Sequence, residues 1–252
     1  MPYIPSVVMI TGATGGFGAA FAQRFAAAGS KLILAGRDAK KLDALAATIK
    51  TPVHKIVMDI RHRDAIEKAF ATLPAEFQAI DLLINNAGGA LGLEPAHQSS
   101  LDDWQNMIET NNLALVVCTR LALPGMVERK RGHIINIGSV AGNHAYPNGS
   151  VYCAVKAFVK NFSLAVRADM ISHNVRVTNI EPGLVETEFS LKRFKGDADR
   201  AAKVYEGAHA LTANDIAESV FWAATLPERV NINSMEIMPT TQSTGPLLVH
   251  RG

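Results

Sequence analysis

The chain has 252 residues, 48% of them hydrophobic, with a formal net charge of +2. This suits a single α/β domain with a substantial core, and so small a charge argues against a nucleic-acid partner or a charged membrane surface. Two cysteines and eight histidines in no ligand spacing point to neither a disulfide framework nor a metal. No run approaches the roughly 18 apolar residues of a membrane span and no basic segment precedes the first apolar run, so the expected location is the cytoplasm.

In chain order, Val7-Val8-Met9-Ile10 is a continuous apolar run, as a parallel strand covered on both faces requires. It leads into Thr11-Gly12-Ala13-Thr14-Gly15-Gly16-Phe17-Gly18, and the spacing predicts a helix over 17–28 that stops at Gly29. A strand, a glycine turn and a helix start let the backbone approach a pyrophosphate, with free N–H groups facing its charge. The second strand, 31–35, ends in Gly36-Arg37-Asp38. In a dinucleotide fold this end meets the adenosine ribose, where Arg37 suits the 2′-phosphate of NADP. Asp38 suits the 2′-hydroxyl of NAD or the N-cap of the next helix. A third strand over 53–58 delivers Asp59, placed to reach the adenine, and a fourth, 81–84, is followed by Asn85-Asn86-Ala87-Gly88.

Ser100-Leu101-Asp102-Asp103 opens a helix with a capping-box-like pattern, and Asn111-Asn112 predict a bend or break within it. The helix resumes over 113–131, mildly broken at Pro124-Gly125, and Arg129-Lys130-Arg131 reads as cations before a Gly132 cap. A fifth strand over 133–138 delivers Ser139, a long helix carries Tyr152 and Lys156, and a sixth strand covers 175–180. Glu181-Pro182-Gly183-Leu184-Val185-Glu186-Thr187 follows it on the expected nicotinamide side. Residues 190–209 turn charged and are expected as a substrate lid, about 188–210 at its widest. Thr212-Ala213-Asn214-Asp215 is a second capping box, 232–238 a last strand, and the tail from 242 carries no clear element. The alternation predicts a doubly wound parallel sheet of Rossmann type.

Tyr152 and Lys156 stand four apart on one helix face. A fixed cation beside a phenol is expected to lower its pKa toward neutrality and make it a general acid/base. Ser139, at a strand's carboxyl end, would hold the substrate oxygen next to it. Cys153 points about 100° away and reads as a small buried hydrophobe.

These pieces together resemble the short-chain dehydrogenase/reductase family over nearly the whole chain. The resemblance rests on Thr11-Gly12, Gly16-Phe17-Gly18, Asn85-Asn86-Ala87-Gly88, Asn111, Ser139, Tyr152, Lys156, Pro182-Gly183 and Thr187. Within the family the chain is most similar to bacterial NADP-dependent 3-hydroxy acid dehydrogenases that also oxidise serine and allo-threonine. The segments Gly92-Leu93-Glu94-Pro95-Ala96-His97 and Arg193-Phe194-Lys195-Gly196-Asp197 are among those that carry that likeness. The resemblance implies NADP held by Gly12, Thr14, Gly15, Gly16, Phe17, Gly18, Arg37, Asp59, Ile60, Asn86, Ala87, Gly88, Tyr152, Lys156, Pro182, Gly183, Val185 and Thr187. It implies that Ser139 holds the substrate oxygen, Tyr152 exchanges its proton and Lys156 lowers the Tyr152 pKa while binding the nicotinamide ribose. Asn111 is implied to hold a relay water behind Lys156. Leu113, Ala114 and Val140 depart from the family pattern, and the loop between Val185 and Thr187 is one residue shorter than in the nearer relatives.

For a small-molecule substrate bearing a carboxylate, Arg193 is the first candidate partner because its fork matches that group, with Lys192, Lys195 and Arg251 as alternatives. The expected function is hydride transfer between NADP and a 3-hydroxy acid or 3-hydroxy amino acid. The rivals are a reductase of neutral ketones or 3-oxoacyl chains, and a non-catalytic NADP-binding regulator. A homotetramer is expected by resemblance, with contact faces over 113–126 and 155–170.

Overall fold

The computed structural model describes residues 3–244 and 249. Seven strands form one sheet in the order β3-β2-β1-β4-β5-β6-β7, every neighbouring pair parallel. They are β1 (Val7–Thr11), β2 (Lys31–Gly36), β3 (Val53–Val57), β4 (Leu82–Asn85), β5 (Gly132–Ile137), β6 (Val175–Pro182) and β7 (Ser234–Ile237). The doubly wound parallel sheet expected from the alternation is thus present, and its order reverses between β1 and β4, where such folds open a crevice. The last strand is shorter than the apolar pattern over 232–238 suggests, because Asn233 and Asn231 are used to tie its approach to β6.

Alternation along β1 shows why its sequence is apolar throughout. Val7 and Met9 join the core on one face, with α3 (Arg63–Ala71), α5 (Ala114–Glu128) and α6 (Ser150–Asp169). Val8 and Ile10 join the other, with α1 (Gly16–Ala27), α2 (Ala39–Ala47) and α9 (Ala213–Thr225). Phe21 and Phe25 of α1 are fully buried there, and each such ring contributes about 1.5–3 kcal/mol by leaving water. Asn85, Asn136 and Asn179 stand in register across β4, β5 and β6. Asn85 Nδ2 donates to Asn136 Oδ1 (2.8 Å) and Thr119 Oγ1 (3.0 Å), while Asn136 Nδ2 donates to Ser163 Oγ of α6 (2.8 Å). Buried polar groups that find partners in this way fix α5 and α6 to the sheet.

The break expected at Asn111-Asn112 is present as a π turn over Glu109–Leu113 between α4 (Leu101–Ile108) and α5. Two local expectations are corrected. α5 runs on through Pro124, whose ring lies on its exposed face. Gly132 is not the cap of α5: Lys130 takes the left-handed conformation (φ 49°), and Gly132 opens β5, where a Cβ would meet the Met126 side chain at 2.4–2.7 Å. Residues 190–209 contain two short helices, α7 (Phe189–Arg193) and α8 (Ala198–Tyr205). The capping box at Thr212 is formed in both directions.

Candidate active site

A cavity of about 730 Å³ lies along the carboxyl ends of the strands. Gly12, Thr14, Gly15, Gly16 and Phe17 after β1 line it, with Arg37 after β2, Asp59 and Ile60 after β3, and Asn86, Ala87 and Gly88 after β4. Ser139, Tyr152, Lys156, Pro182, Gly183, Val185, Thr187 and Arg193 complete the set expected from the sequence. Gly18 and Asn111 stand outside it. Gly18 is a packing glycine, since a Cβ there would stand 2.3 Å from Gly12 O and 2.7 Å from Ala13 Cα. It lets α1 press against the turn that starts it.

The turn itself is main chain held from behind. Gly12 has φ 64°, and a Cβ there would meet Ala87 Cα at 2.9 Å. Asn86 Nδ2 donates to Thr11 O (2.9 Å) and Gly12 O (3.1 Å), and Thr11 Oγ1 accepts from the N–H groups of Asn86 and Ala87 at 3.0 Å. The loops after β1 and β4 are thereby locked together at the switch point. A glycine-walled cradle ending on the N-terminus of α1 fits a pyrophosphate.

At the adenosine end Arg37 and Asp38 both line the cavity. Asp38 is the N-cap of α2 and accepts from Lys41 N at 3.1 Å, so its carboxylate is engaged by its own helix. Arg37 lines the cavity, and so does Lys41, one turn further on and not singled out in the sequence. Two cations beside a helix N-terminus fit a 2′-phosphate. Asp59 is clamped by Arg61, whose hydrogen bonds hold its carboxyl down at about 2.

At the reacting end, the Ser139 hydroxyl accepts from Ala141 N (3.1 Å) and reaches Pro182 O (3.5 Å), which fixes it at the tip of β5. Lys156 Nζ donates to Ile137 O at 2.9 Å and lies 5.8 Å from the centre of the Tyr152 ring. The expected tuning of Tyr152 is corrected: its pKa is raised, not lowered. Burial is the largest cause and the neighbouring Tyr146 adds to it, while a hydrogen bond from Ser139 and the charge of Arg193 oppose it. Lys156 is itself buried, and burial pulls it down to about 8, so it is a weakened cation. Helical spacing brings the pair together but says nothing about the desolvation both share. Asn111 sits behind Gly88-Gly89. Its Nδ2 donates to Gly89 O (3.0 Å) and Met107 O (2.8 Å), and its Oδ1 accepts from Gly89 N (3.2 Å). The side chain therefore holds the loop beneath the cofactor cradle, and both its donors are spent.

The opposite wall comes from segments distant in sequence. Arg193 Nε donates to Gly92 O (3.1 Å) and Arg193 O accepts from Gly92 N (3.0 Å), tying α7 to the loop after β4. The guanidinium lies 5.4 Å from the Tyr146 ring centre, hydrogen-bonds the Tyr146 phenol, and lies 5.7 Å from the Tyr152 ring centre. Its Nη2 is buried without a hydrogen-bond partner. Lys192 pairs with Glu188 (3.3 Å), and Lys195 with Asp103 of α4 (2.8 Å) away from the cavity lining; Arg251 lies outside the described residues. Phe189 packs 5.7 Å from Tyr152, and Ser190 Oγ donates to Tyr205 OH (2.7 Å), joining α7 to α8. Gln242 Oε1 accepts from Leu184 N (2.7 Å) and would collide with a Cβ on Gly183. Nothing local in the sequence marks Tyr146 or Gln242, which gain their roles only through tertiary contact.

A parallel sheet in this order with Ser139, Tyr152 and Lys156 at its mouth is the architecture of an oxidoreductase, and the profile of the "short chain dehydrogenase" family matches residues 6–198. The chain belongs to that family. It is 56% identical over 246 residues to the NADP-dependent 3-hydroxy acid dehydrogenase YdfG of Salmonella typhi, covering 97% of this chain and 99% of that one. It is 47% identical over 244 residues to a serine 3-dehydrogenase of Agrobacterium fabrum, with 97% and 98% covered. The closed form of a serine dehydrogenase complexed with NADP+ superposes with a TM-score of 0.93 at 53% identity, over 98% of this chain and 100% of that one. Among the described residues no group of His, Cys, Asp or Glu could hold a metal, and no helix is long and apolar enough to cross a membrane.

Proposed function

We propose that this enzyme transfers hydride between NADP and 3-hydroxy acids, including 3-hydroxy amino acids such as serine and allo-threonine, and reduces the corresponding semialdehydes. The observation that carries the substrate class is Arg193. A guanidinium with one buried donor unspent stands beside the Tyr152 ring, where a carboxylate on a substrate held by Ser139 would find a fork of matching geometry. The names of the similar dehydrogenases support the same reading.

When bound, the nicotinamide takes the hydride in oxidation and returns it in reduction. Ser139 is oriented by Ala141 N–H, and its own proton, directed at Pro182 O over a long 3.5 Å, turns from that weak contact to hold the substrate oxygen. Tyr152 moves the proton on that oxygen. As a phenol it donates during reduction, and as a phenolate it accepts during oxidation. Lys156 spends one of its three N–H groups on Ile137 O, which leaves two for the ribose hydroxyls. Because both donors of the Asn111 side chain are used, we assign the relay water to a main-chain carbonyl of the π turn around Asn111. Arg37 and Lys41 take the 2′-phosphate. The segment 188–210 acts as the lid, latched by Arg193 to Gly92 and by Lys195 to Asp103. We expect a cytoplasmic, single-domain enzyme working as a homotetramer. Exposed Leu113 on one helix pair and Phe158 and Leu164 on α6 support the expected contact faces.

Arg193→Ala tests the substrate reading. The KM for 3-hydroxy acids is expected to rise roughly tenfold or more, the scale of a charged hydrogen bond, with the KM for neutral secondary alcohols unchanged. Equal kinetics with both substrate classes would refute it.

A further inference from the structure

Asp59 lines the adenosine end of the cavity, but it does not stand there alone. Arg61, two residues on, lies outside the cavity lining and grips the carboxylate from behind. Arg61 Nε donates to Oδ1 (3.0 Å) and Oδ2 (3.1 Å), Nη2 donates to Oδ2 (2.6 Å), and the Arg61 main-chain N–H donates to Oδ1 (3.0 Å). The remaining guanidinium nitrogen, Nη1, donates to Asn106 Oδ1, and Asn106 Nδ2 donates to Asp102 O (2.8 Å) within α4. The carboxylate is therefore anchored through Arg61 to a second helix rather than free to rotate.

An ionised carboxylate offers about four lone-pair directions and no donor. The main-chain N–H of Arg61 takes one direction on Oδ1, Nη2 takes one on Oδ2, and Nε is shared between the two oxygens on the side that faces the guanidinium. Asp59 lines the cavity, and the acceptor capacity it keeps is the outer side of Oδ2, away from the shared Nε, held at a fixed aim by the clamp. Such a group welcomes an N–H donor on a base edge and repels a carbonyl oxygen in the same place. The low carboxyl pKa produced by the same hydrogen bonds keeps Asp59 acceptor-only at any working pH.

We propose that Arg61, supported by Asn106, is a positioning residue for purine recognition: by clamping Asp59 it makes the cavity select an aminopurine dinucleotide over its oxopurine counterpart. The proposal rests on the cofactor reading above and is independent of the hydroxy-acid reading. The probes are NADP and nicotinamide hypoxanthine dinucleotide phosphate, which differ in the amino and oxo groups of the base. Their dissociation constants are measured by titration calorimetry on the native protein, Arg61→Ala, Arg61→Lys and Asn106→Ala, so no substrate is needed.

The native protein is expected to bind the hypoxanthine dinucleotide roughly tenfold or more weakly, the scale of a hydrogen bond to a charged group. In Arg61→Ala the loss falls on NADP, and the two constants converge to within about threefold. Arg61→Lys, a point charge without a fork, and Asn106→Ala lie between, and they carry the test if Arg61→Ala does not fold. Equal affinity of the native protein for both dinucleotides overturns the proposal. So does an Arg61 or Asn106 variant that weakens both dinucleotides by the same factor, which would mark a merely structural role. Native protein that binds neither dinucleotide sinks the cofactor reading itself, an outcome distinct from the other two.

Discussion

The two ends of the cavity are built from different material. At the dinucleotide end the wall is largely main chain, shaped by glycines and locked by Thr11 and Asn86 across the β1–β4 switch point. At the substrate end it is side chains: Arg193, Tyr146, Phe189, Tyr205 and Gln242, drawn from segments up to about a hundred residues apart and joined by a few side-chain contacts. Backbone geometry binds what dinucleotides share, whereas side chains can change with the substrate while the frame stays fixed. The proton-transfer group Tyr152 stands where the two meet, which is why its environment combines deep burial with a hydrogen bond from Ser139 and the charge of Arg193.

Substitutions on either side sharpen that contrast. The largest effect is expected at the junction. Tyr152→Phe removes the proton donor and should lower turnover by roughly 10²- to 10⁴-fold, with NADPH binding by fluorescence retained; comparable loss of binding would place Tyr152 with the cradle instead. In the native enzyme, burial favours the phenol, so kcat/KM for oxidation should rise with pH from neutral into the alkaline range. Reduction, which uses the phenol, should stay flat over the same interval. An oxidation optimum on the acid side would contradict the assignment.

A backbone change comes next. Gly18→Ala forces a methyl to within 2.3 Å of Gly12 O, so α1 and the cradle must separate. Overpacking of this kind costs about 1–3 kcal/mol, and both the melting temperature and the affinity for NADP and NAD alike should fall. A variant that melts normally and binds normally would show that the cradle is not held by this contact. Arg37→Ala is expected to be milder and one-sided. It should raise the KM for NADP roughly tenfold, the scale of a charged hydrogen bond, and leave NAD nearly unchanged. Lys41 should retain part of the preference, and an equal rise for both cofactors would remove Arg37 from phosphate recognition.

The same contrast explains what could be read from the sequence. Apolar runs, glycine turns and caps are local, and they announce the parallel sheet, the cradle and the positions of Ser139, Tyr152 and Lys156. Asp38 also obeyed its local rule, capping α2. The Tyr152 environment is not legible in the same way, because a four-residue spacing shows a neighbour but not the burial that both residues share. Asn111 announced its unusual helix, yet the use of its side chain on Gly89 depends on a loop twenty-two residues away. Arg61 carries no local signal of its role, because only the fold brings Asp59 and Asn106 to either side of its guanidinium. Tyr146 and Gln242 are polar or aromatic residues in irregular segments, and only the folded chain shows which loop each one meets.

The measurement that tests the central claim most directly is a set of initial rates on the native enzyme. NADP and NAD are each paired with L-serine, L-allo-threonine, 3-hydroxypropionate, 3-hydroxybutyrate and a neutral secondary alcohol. The account predicts NADP-linked oxidation of the acids, with kcat/KM well above that of the neutral alcohol. Turnover confined to the neutral alcohol, or a preference for NAD, would contradict it.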